Sequence, residues 1–438
     1  MPLTYPEALA YLRTLPDHSL VAYLTYSPEK FDLSRITELL ARLKQPQYQY
    51  PVLHVAGTKG KGSICAMLTS ALTAAGYRVG LYTSPAVFGF TEQIQINHLP
   101  IPPETLAALV EELQPRAAQV EGLTAFEFIT ALAFHYFARQ AVEVAVIETG
   151  VGGRVDATNS VQPLVAIIAS ISLDHTQLLG ETVEQIAHEK AGIIKFKRPV
   201  VSAPQRLEAR QVIEHTAHIQ EAPLTMVEDA YGYELVERDL RQQTFRVWER
   251  GSTTPPLTLK IPLRGRHQIE NAVTAYAALR VGQQAGLNFT NAQLQEGFAR
   301  VTWPGRFEIV STQPVIVLDG AHNRDSARRL REALQDYAVL LPIVLVFGAA
   351  QDKDVRGMFE ELLPLTRHLL TVQARHPRAA EAEALAEVAH SLGATPQALP
   401  SVAAALELAR VNWPEMTIVV TGSLFVVAEA REERREEG

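Results

Sequence analysis

The stretch His54-Val-Ala-Gly-Thr-Lys-Gly-Lys-Gly-Ser63 limits the architecture of this chain more than any other segment. The apolar run Pro51–Ala56 before it reads as a buried strand. The pattern after it, Ile64–Ala75 closed by Gly76, reads as a helix. A strand, a glycine-rich turn and a helix N-terminus in direct succession form the arrangement that cradles phosphates. Backbone N–H groups approach phosphate oxygens only where no Cβ obstructs them, which is the reason for glycine. Gly57, Thr58, Lys59, Gly60, Lys61, Gly62 and Ser63 are therefore candidate nucleoside triphosphate contacts, with Lys61 placing a compact positive charge on the outer phosphates. The spacing departs from the common loop at two points. Val55 stands where its first glycine is expected, and Gly62 delays Ser63 by one position. The competing reading is a glycine-rich βα turn in an ordinary α/β domain.

Bulk properties narrow the field. A chain of 438 residues has length for two or three domains, and 47% hydrophobic with 20% charged residues is a globular balance. The net charge of −8 comes without a basic stripe, which argues against nucleic acid as a partner. No apolar run has the length of a membrane span, and Met1-Pro-Leu-Thr-Tyr-Pro-Glu7 lacks a signal pattern. Cys65 is the only cysteine, so an internal disulfide is excluded and a cytoplasmic setting is expected.

Strands and helices alternate through the first half. Strands are expected at Val52–Ala56, Val79–Thr83, Val142–Glu148, Leu164–Ile171 and Pro199–Ser202. Helices are expected at Ile64–Ala75, Glu104–Val120, Ala125–Gln140, Val183–Gly192 and Glu208–Ile219. Such alternation predicts a mostly parallel sheet covered by helices. Tyr231 to Leu263 alternates apolar and polar residues around a turn at Gly251–Pro255, and reads as an antiparallel appendage. A helix over Gln268–Ala285 follows it. A second α/β pattern starts near Gly305, with strands at Glu308–Ser311, Val315–Leu318, Ile343–Phe347, His368–Thr371 and Thr417–Thr421. The fold class expected is α/β: a P-loop, mostly parallel sheet domain with the antiparallel appendage over 1–298, a linker at 299–304, and a smaller Rossmann-like domain over 305–438.

Several polar residues fall at expected strand ends, where open α/β sheets bind their ligands. Glu148 opens Glu148-Thr-Gly-Val-Gly-Gly-Arg-Val-Asp-Ala-Thr-Asn159. Asp174 and His175 follow the strand Leu164–Ile171, and Ser84 follows Val79–Thr83. Mg²⁺ takes few protein ligands and completes its shell with water and phosphate, so these strand ends are candidate metal positions. Each taken alone is equally a cap or a surface residue. Lys190, in Ala187-His-Glu-Lys-Ala-Gly-Ile193, reads by default as a solvated lysine or a phosphate contact. Asp319-Gly-Ala-His-Asn323 follows another strand. Arg306 lies beside the expected linker, where it either reaches a bound phosphate or pairs with Glu308.

In order along the chain stand Thr58-Lys-Gly-Lys-Gly-Ser63, Thr83-Ser-Pro85, the Glu148–Asn159 stretch, Leu173-Asp-His-Thr176, Glu189-Lys-Ala-Gly-Ile193, Gly265-x-His-Gln-x-x-Asn-Ala272, Pro304-Gly-Arg306, Leu318–Asn323, Asp352-Lys-Asp354 and Thr421-Gly-Ser-Leu424. Together they resemble folylpolyglutamate synthase and dihydrofolate synthase, the folate branch of the Mur ligase superfamily, from about residue 20 to about 427. The resemblance implies an ATP-dependent ligase that adds L-glutamate to folate, and leaves open whether dihydropteroate is an acceptor too. It implies ATP contacts at Gly57–Ser63, Asn271, Arg306 and Asp319, and Mg²⁺ at Ser84, Glu148 and His175. It also implies a second Mg²⁺ through a carbamylated Lys190, with Lys61, Lys190, Asp319 and His322 in catalysis, and a monomer. This chain departs from the family pattern at Lys59, where asparagine is usual, at Ala86-Val87 for His-Leu, at Gln93 in a mobile Glu-Arg-Ile, and at Arg324 for proline. Two other functions fit the same motifs: a Mur-type amino-acid ligase acting on another carboxylate, and a nucleotide-dependent binding module without ligase activity.

Overall fold

The computed structural model describes residues 2–16, 32–86 and 89–436; Val87 lies outside them. Its first sheet has eight strands: β1 Val52–Ala56, β2 Val79–Tyr82, β3 Ile94–Ile96, β4 Leu99–Pro100, β5 Val144–Glu148, β6 Val165–Ile168, β7 Val200–Ser202 and β8 Leu224–Met226. The order is β4-β3-β2-β5-β1-β6-β7-β8. Pairing is parallel from β2 to β8, and β3 and β4 add an antiparallel edge. β1 and β5 are buried along their whole length. That explains their unbroken apolar runs: a strand covered on both faces shows no alternation. One core cluster joins Leu12, Ile36, Leu39, Val110, Phe128 and Phe134. Another joins Ile168, Ile186, Ala187 and Ile213.

A three-stranded sheet follows, ordered β11-β10-β9, with β9 Tyr231–Arg238, β10 Gln243–Glu249 and β11 Leu257–Ile261. The connections between them are too short for a crossover, so successive strands reverse direction. The last sheet has six strands in the order β12-β13-β17-β14-β15-β16: β12 Glu308–Thr312, β13 Val315–Leu318, β14 Ile343–Phe347, β15 Thr366–Val372, β16 Pro396–Leu399 and β17 Thr417–Thr421. Only β12 runs antiparallel to its neighbour.

The chain divides into two compact units. One comprises 1–234, 245–260 and 270–301; the other comprises 235–244, 261–269 and 302–438. Among the described residues no helix is long and apolar enough to cross a membrane.

The strands absent from the sequence expectation are β3, β4, β8 and β16. Each has two to four residues, too few to display a period. The helices Tyr5–Thr14, Ser34–Arg42, Asn291–Arg300 and Leu424–Glu436 are further additions. The helix after β1 starts at Lys61, three residues before the apolar pattern begins, because its first turn is glycine and lysine.

Candidate active site

The loop after β1 is fixed by the neighbouring strand. The amides of Thr58 and Lys59 both donate to the Ser170 carbonyl, at 2.9 and 3.1 Å. Thr58 Oγ1 donates to Ser172 O at 3.1 Å. Gly57 (φ +147°) and Gly60 (φ +91°) occupy backbone regions that L side chains avoid. Their surroundings forbid a side chain as well: a Cβ on Gly57 would lie 2.6 Å from Ala169 Cβ, and one on Gly60 would lie 2.3 Å from Asn271 Oδ1. Asn271, itself buried, thus lies directly against the loop. Gly60 caps the helix Lys61–Ala74 with no side-chain hydrogen bond. The first N–H groups of a helix have no intrahelical acceptor, and the cap residue, a glycine, brings no side-chain acceptor of its own. An anion is the natural complement of such an end.

The carboxyl ends of adjacent strands bring the other candidates alongside. In sheet order β2-β5-β1-β6, Ser84 lies just past β2, Glu148 closes β5, the loop follows β1, and Asp174 and His175 lie beyond β6. Glu148 is 6% exposed, and its Oε1 stands 3.8 Å from Lys61 Nζ. Lys59 Nζ makes a closer pair with Asp174 Oδ2 at 2.9 Å. Asp174 Oδ1 accepts the amide of His175, an exposed residue in the left-handed region (φ 49°). Among the described residues no three His, Cys, Asp or Glu side chains converge as a ready-made metal cage. A buried carboxylate beside a phosphate-type loop is an oxygen donor of the kind that a hard divalent cation takes together with phosphate.

Lys190 is 4% exposed and donates from Nζ to the Gly57 carbonyl at 3.0 Å. Burial, reinforced by the positive charge of Lys61, lowers its amine to about 7. A lysine so placed spends much of its time as a free amine near neutrality. Spacing alone left a solvated residue or a phosphate contact; the fold buries the side chain against the Gly57 carbonyl.

The loop after Glu148 is also tied down. Asp156 accepts the amides of Gly150 (2.9 Å), Val151 (3.1 Å) and Thr158 (3.0 Å), and the Thr158 hydroxyl. That hydroxyl in turn accepts from His54 Nε2 at 2.9 Å, inside β1. Burial raises the Asp156 carboxyl and lowers the His54 imidazole to about 3. Asp156, Thr158 and His54 lay within the motifs, but the loop-bracing contacts link residues far apart in the chain, which motif spacing does not record.

Three candidates belong to the C-terminal unit. Asp319, just past β13, accepts the amides of Phe307 (2.8 Å) and Ala321 (2.9 Å). Burial raises its carboxyl, against the opposing pull of Arg306. His322 Nδ1 lies 2.8 Å from the Gly320 carbonyl. A carbonyl only accepts, so Nδ1 carries a proton. Arg306 donates to Gly305 O at 3.3 Å. Glu308, its expected partner, instead accepts the Gly305 amide and pairs with Arg431 at 3.2 Å.

A strand-end phosphate loop joined to a second α/β unit is the architecture of an amino-acid ligase. Residues 55–279 match the Mur ligase middle domain, and residues 305–424 match the Mur ligase glutamate ligase domain. The chain is an ATP-dependent ligase of this class. More narrowly, it belongs to the folylpolyglutamate synthase/dihydrofolate synthase family. The Bacillus subtilis dihydrofolate synthase/folylpolyglutamate synthase is 35% identical over 409 residues, covering 91% of this chain and 94% of the relative. The structure of E. coli FolC in complex with DHPP and ADP superposes with a TM-score of 0.86 at 32% identity, covering 100% of this chain and 98% of that one. Mycobacterium tuberculosis folylpolyglutamate synthase complexed with ADP and AMPPCP gives 0.86 at 30% identity, covering 98% and 99%.

Proposed function

We propose that this chain joins the amino group of L-glutamate to a carboxyl group of a pteroate-type acceptor, a folate or dihydropteroate, with conversion of ATP to ADP and phosphate. A carboxylate is a poor electrophile because oxide is a poor leaving group. Transfer of the terminal phosphoryl group onto the acceptor carboxylate gives an acyl phosphate, which then expels phosphate when the glutamate nitrogen attacks. The nitrogen, attacking as the free amine, loses one proton and keeps one as the amide N–H, the new C–N bond is the amide, and phosphate departs with the former carboxylate oxygen.

The observation that carries this reading is the glycine-capped first turn of the helix at Lys61, with the Lys61 and Glu148 side chains 3.8 Å apart beside it. In the proposed assignment Gly57–Ser63 and Asn271 hold the nucleotide. Lys61 offsets repulsion between the phosphoryl group and the incoming carboxylate. Arg306 and Asp319 also contact nucleotide. Asp319 and His322 serve the reacting centre. Ser84, Glu148 and His175 would hold one Mg²⁺. Bound there, the ion would neutralise phosphate charge. The Lys190 amine would add CO₂ to give a carbamate, losing a proton and gaining the negative charge a second Mg²⁺ needs. The uptake of isotopically labelled bicarbonate, followed by NMR on the intact protein, tests that carbamate directly. We assign the reaction to a monomer in the cytoplasm, a compartment that suits the single, buried Cys65.

ADP release measured with ATP alone, and with acceptor and glutamate added singly and together, tests the whole assignment. Fast release is expected only with both substrates, and none from Lys61→Ala. Release that ignores glutamate and acceptor would leave a nucleotide-binding module and end the ligase reading.

A further inference from the structure

The loop behind Glu148 and the last turn of the helix Val183–Ala191 are joined by backbone and side-chain hydrogen bonds. The amide of Arg154 donates to Glu189 O at 2.7 Å. The Arg154 guanidinium donates from Nε (3.1 Å) and Nη2 (2.9 Å) to Glu189 Oε1. Asn159 Nδ2 bridges both segments, reaching Arg154 O at 2.8 Å and Gly192 O at 3.1 Å. Lys195 Nζ closes the set on Asn159 O at 3.2 Å. The two backbones meet at glycines. A Cβ on Gly153 would sit 2.9 Å from Glu189 O and 3.0 Å from Lys190 O, and one on Gly192 would sit 2.4 Å from Arg154 Cα.

We propose that Arg154 is a positioning residue: it grips Glu189 and so sets where the neighbouring Lys190 amine stands relative to Glu148 and the phosphate loop. This rests on the roles given to Lys190 and Glu148 above. Adjacent residues on an α-helix point about 100° apart, so holding the Glu189 side chain against the loop fixes the helix rotation that aims Lys190 at Gly57 O. Glu148 lies at the other end of the same loop. Arg154 therefore couples two groups assigned to the phosphate chemistry through Glu189 and the loop backbone. The Arg154 side chain is 43% exposed but that of Glu189 only 11%, so removing the arginine alone strands a sheltered carboxylate and costs stability as well, a cost that replacing Glu189 by glutamine removes. A small displacement of a reacting group is costly to rate, however, so the two effects separate.

The test compares full-length wild type with Arg154→Met, Arg154→Lys, Glu189→Gln, the Arg154→Met/Glu189→Gln double variant and Lys190→Ala. The readouts are glutamate-dependent ADP release and thermal midpoint. The Met variant should lose about tenfold in kcat, with the KM for ATP changed less than about twofold; its melting midpoint should fall, and the double variant, which has no stranded carboxylate, should recover the midpoint but not kcat. Lysine at the same position should recover part of the loss, and the double variant should fall no further than either single one. Wild-type kcat in Arg154→Met alongside an inactive Lys190→Ala would overturn the Arg154 assignment and leave the Lys190 reading intact. Full activity in Lys190→Ala would instead remove the reading beneath it. A kcat loss that follows a falling melting midpoint through the series, without rescue by lysine, would make Arg154 merely structural and also overturn the proposal.

Discussion

His54 shows how a single buried residue in β1 ties stability to pH. It is wholly buried, its Nε2 is engaged by Thr158, and Nδ1 has no hydrogen-bond partner. Protonating Nδ1 would strand a charge in the core, so the folded imidazole titrates near 3, against 6.5 in the unfolded chain. Between those values the unfolded chain binds the proton and the folded chain does not, so stability falls as pH drops from 6.5 toward 3. Above 6.5 both states are neutral and the residue adds no slope. Glutamine at this position keeps a donor for Thr158 but does not titrate. Wild type should therefore lose about 3 kcal/mol more than His54→Gln between pH 7 and pH 4. Urea titrations of both proteins at the two pH values measure this difference, and parallel losses would contradict it. The Lys190 amine is a second case in which position decides chemistry. Its sequence neighbourhood is that of an exposed helix residue, and only the approach of the phosphate loop buries it.

At the scale of elements, the helix carrying the phosphate loop is held from behind by the helix Asn291–Arg300. Gly297 makes this contact possible. A Cβ there would lie 2.4 Å from Ala71 Cα and 2.8 Å from Ser70 O, while Ser70 Oγ donates to Gly297 O at 2.7 Å. Backbone atoms cannot swing aside as a side-chain tip can. Gly297→Ala must push the two helices apart, and should cost about 1–3 kcal/mol, read as a lowered denaturation midpoint. An unchanged midpoint would mean that the helices shift freely. This helix was absent from the sequence reading, although its signal was present: Thr290 and Gln293 form a reciprocal capping box. The long strands were legible because burial on both faces makes them continuous apolar runs. The edge strands β3 and β4 were not, since two or three residues carry no pattern. At the candidate site, the loop glycines and strand-end carboxylates were legible because special backbone angles and strand ends demand particular residue types. The Lys59–Asp174 pair, the Arg154 clamp and the His54–Thr158–Asp156 chain were not. Each joins segments whose proximity is decided by sheet order, which no local spacing encodes.

For the whole molecule, the course of the chain predicts which fragments fold. The C-terminal unit is not a continuous piece: 235–244 and 261–269 cluster with 302–438. Within that unit Arg264 donates to Leu240 O at 2.7 Å and to Phe307 O at 3.2 Å. Arg238 and Arg266 both pair with Asp336, at 2.8 and 3.2 Å. Leu240 packs on the core that holds Phe307, Leu330 and Phe347. A fragment starting at 302 keeps the six-stranded sheet but loses these partners, leaving Asp336, which is 11% exposed in the full chain, without either arginine. Uncovering a core face and unpairing a sheltered carboxylate each cost on the order of 1–3 kcal/mol, a large share of the margin by which a domain of this size stays folded. The isolated 302–438 fragment should therefore melt at lower temperature and less cooperatively than the corresponding transition of the full chain, and should bind a hydrophobic dye. A fragment from 235 onward that omits 270–301 through a short flexible linker restores both missing segments, and should recover most of the lost midpoint. Equal melting of the two fragments would show that the inserted segments add nothing to the C-terminal core.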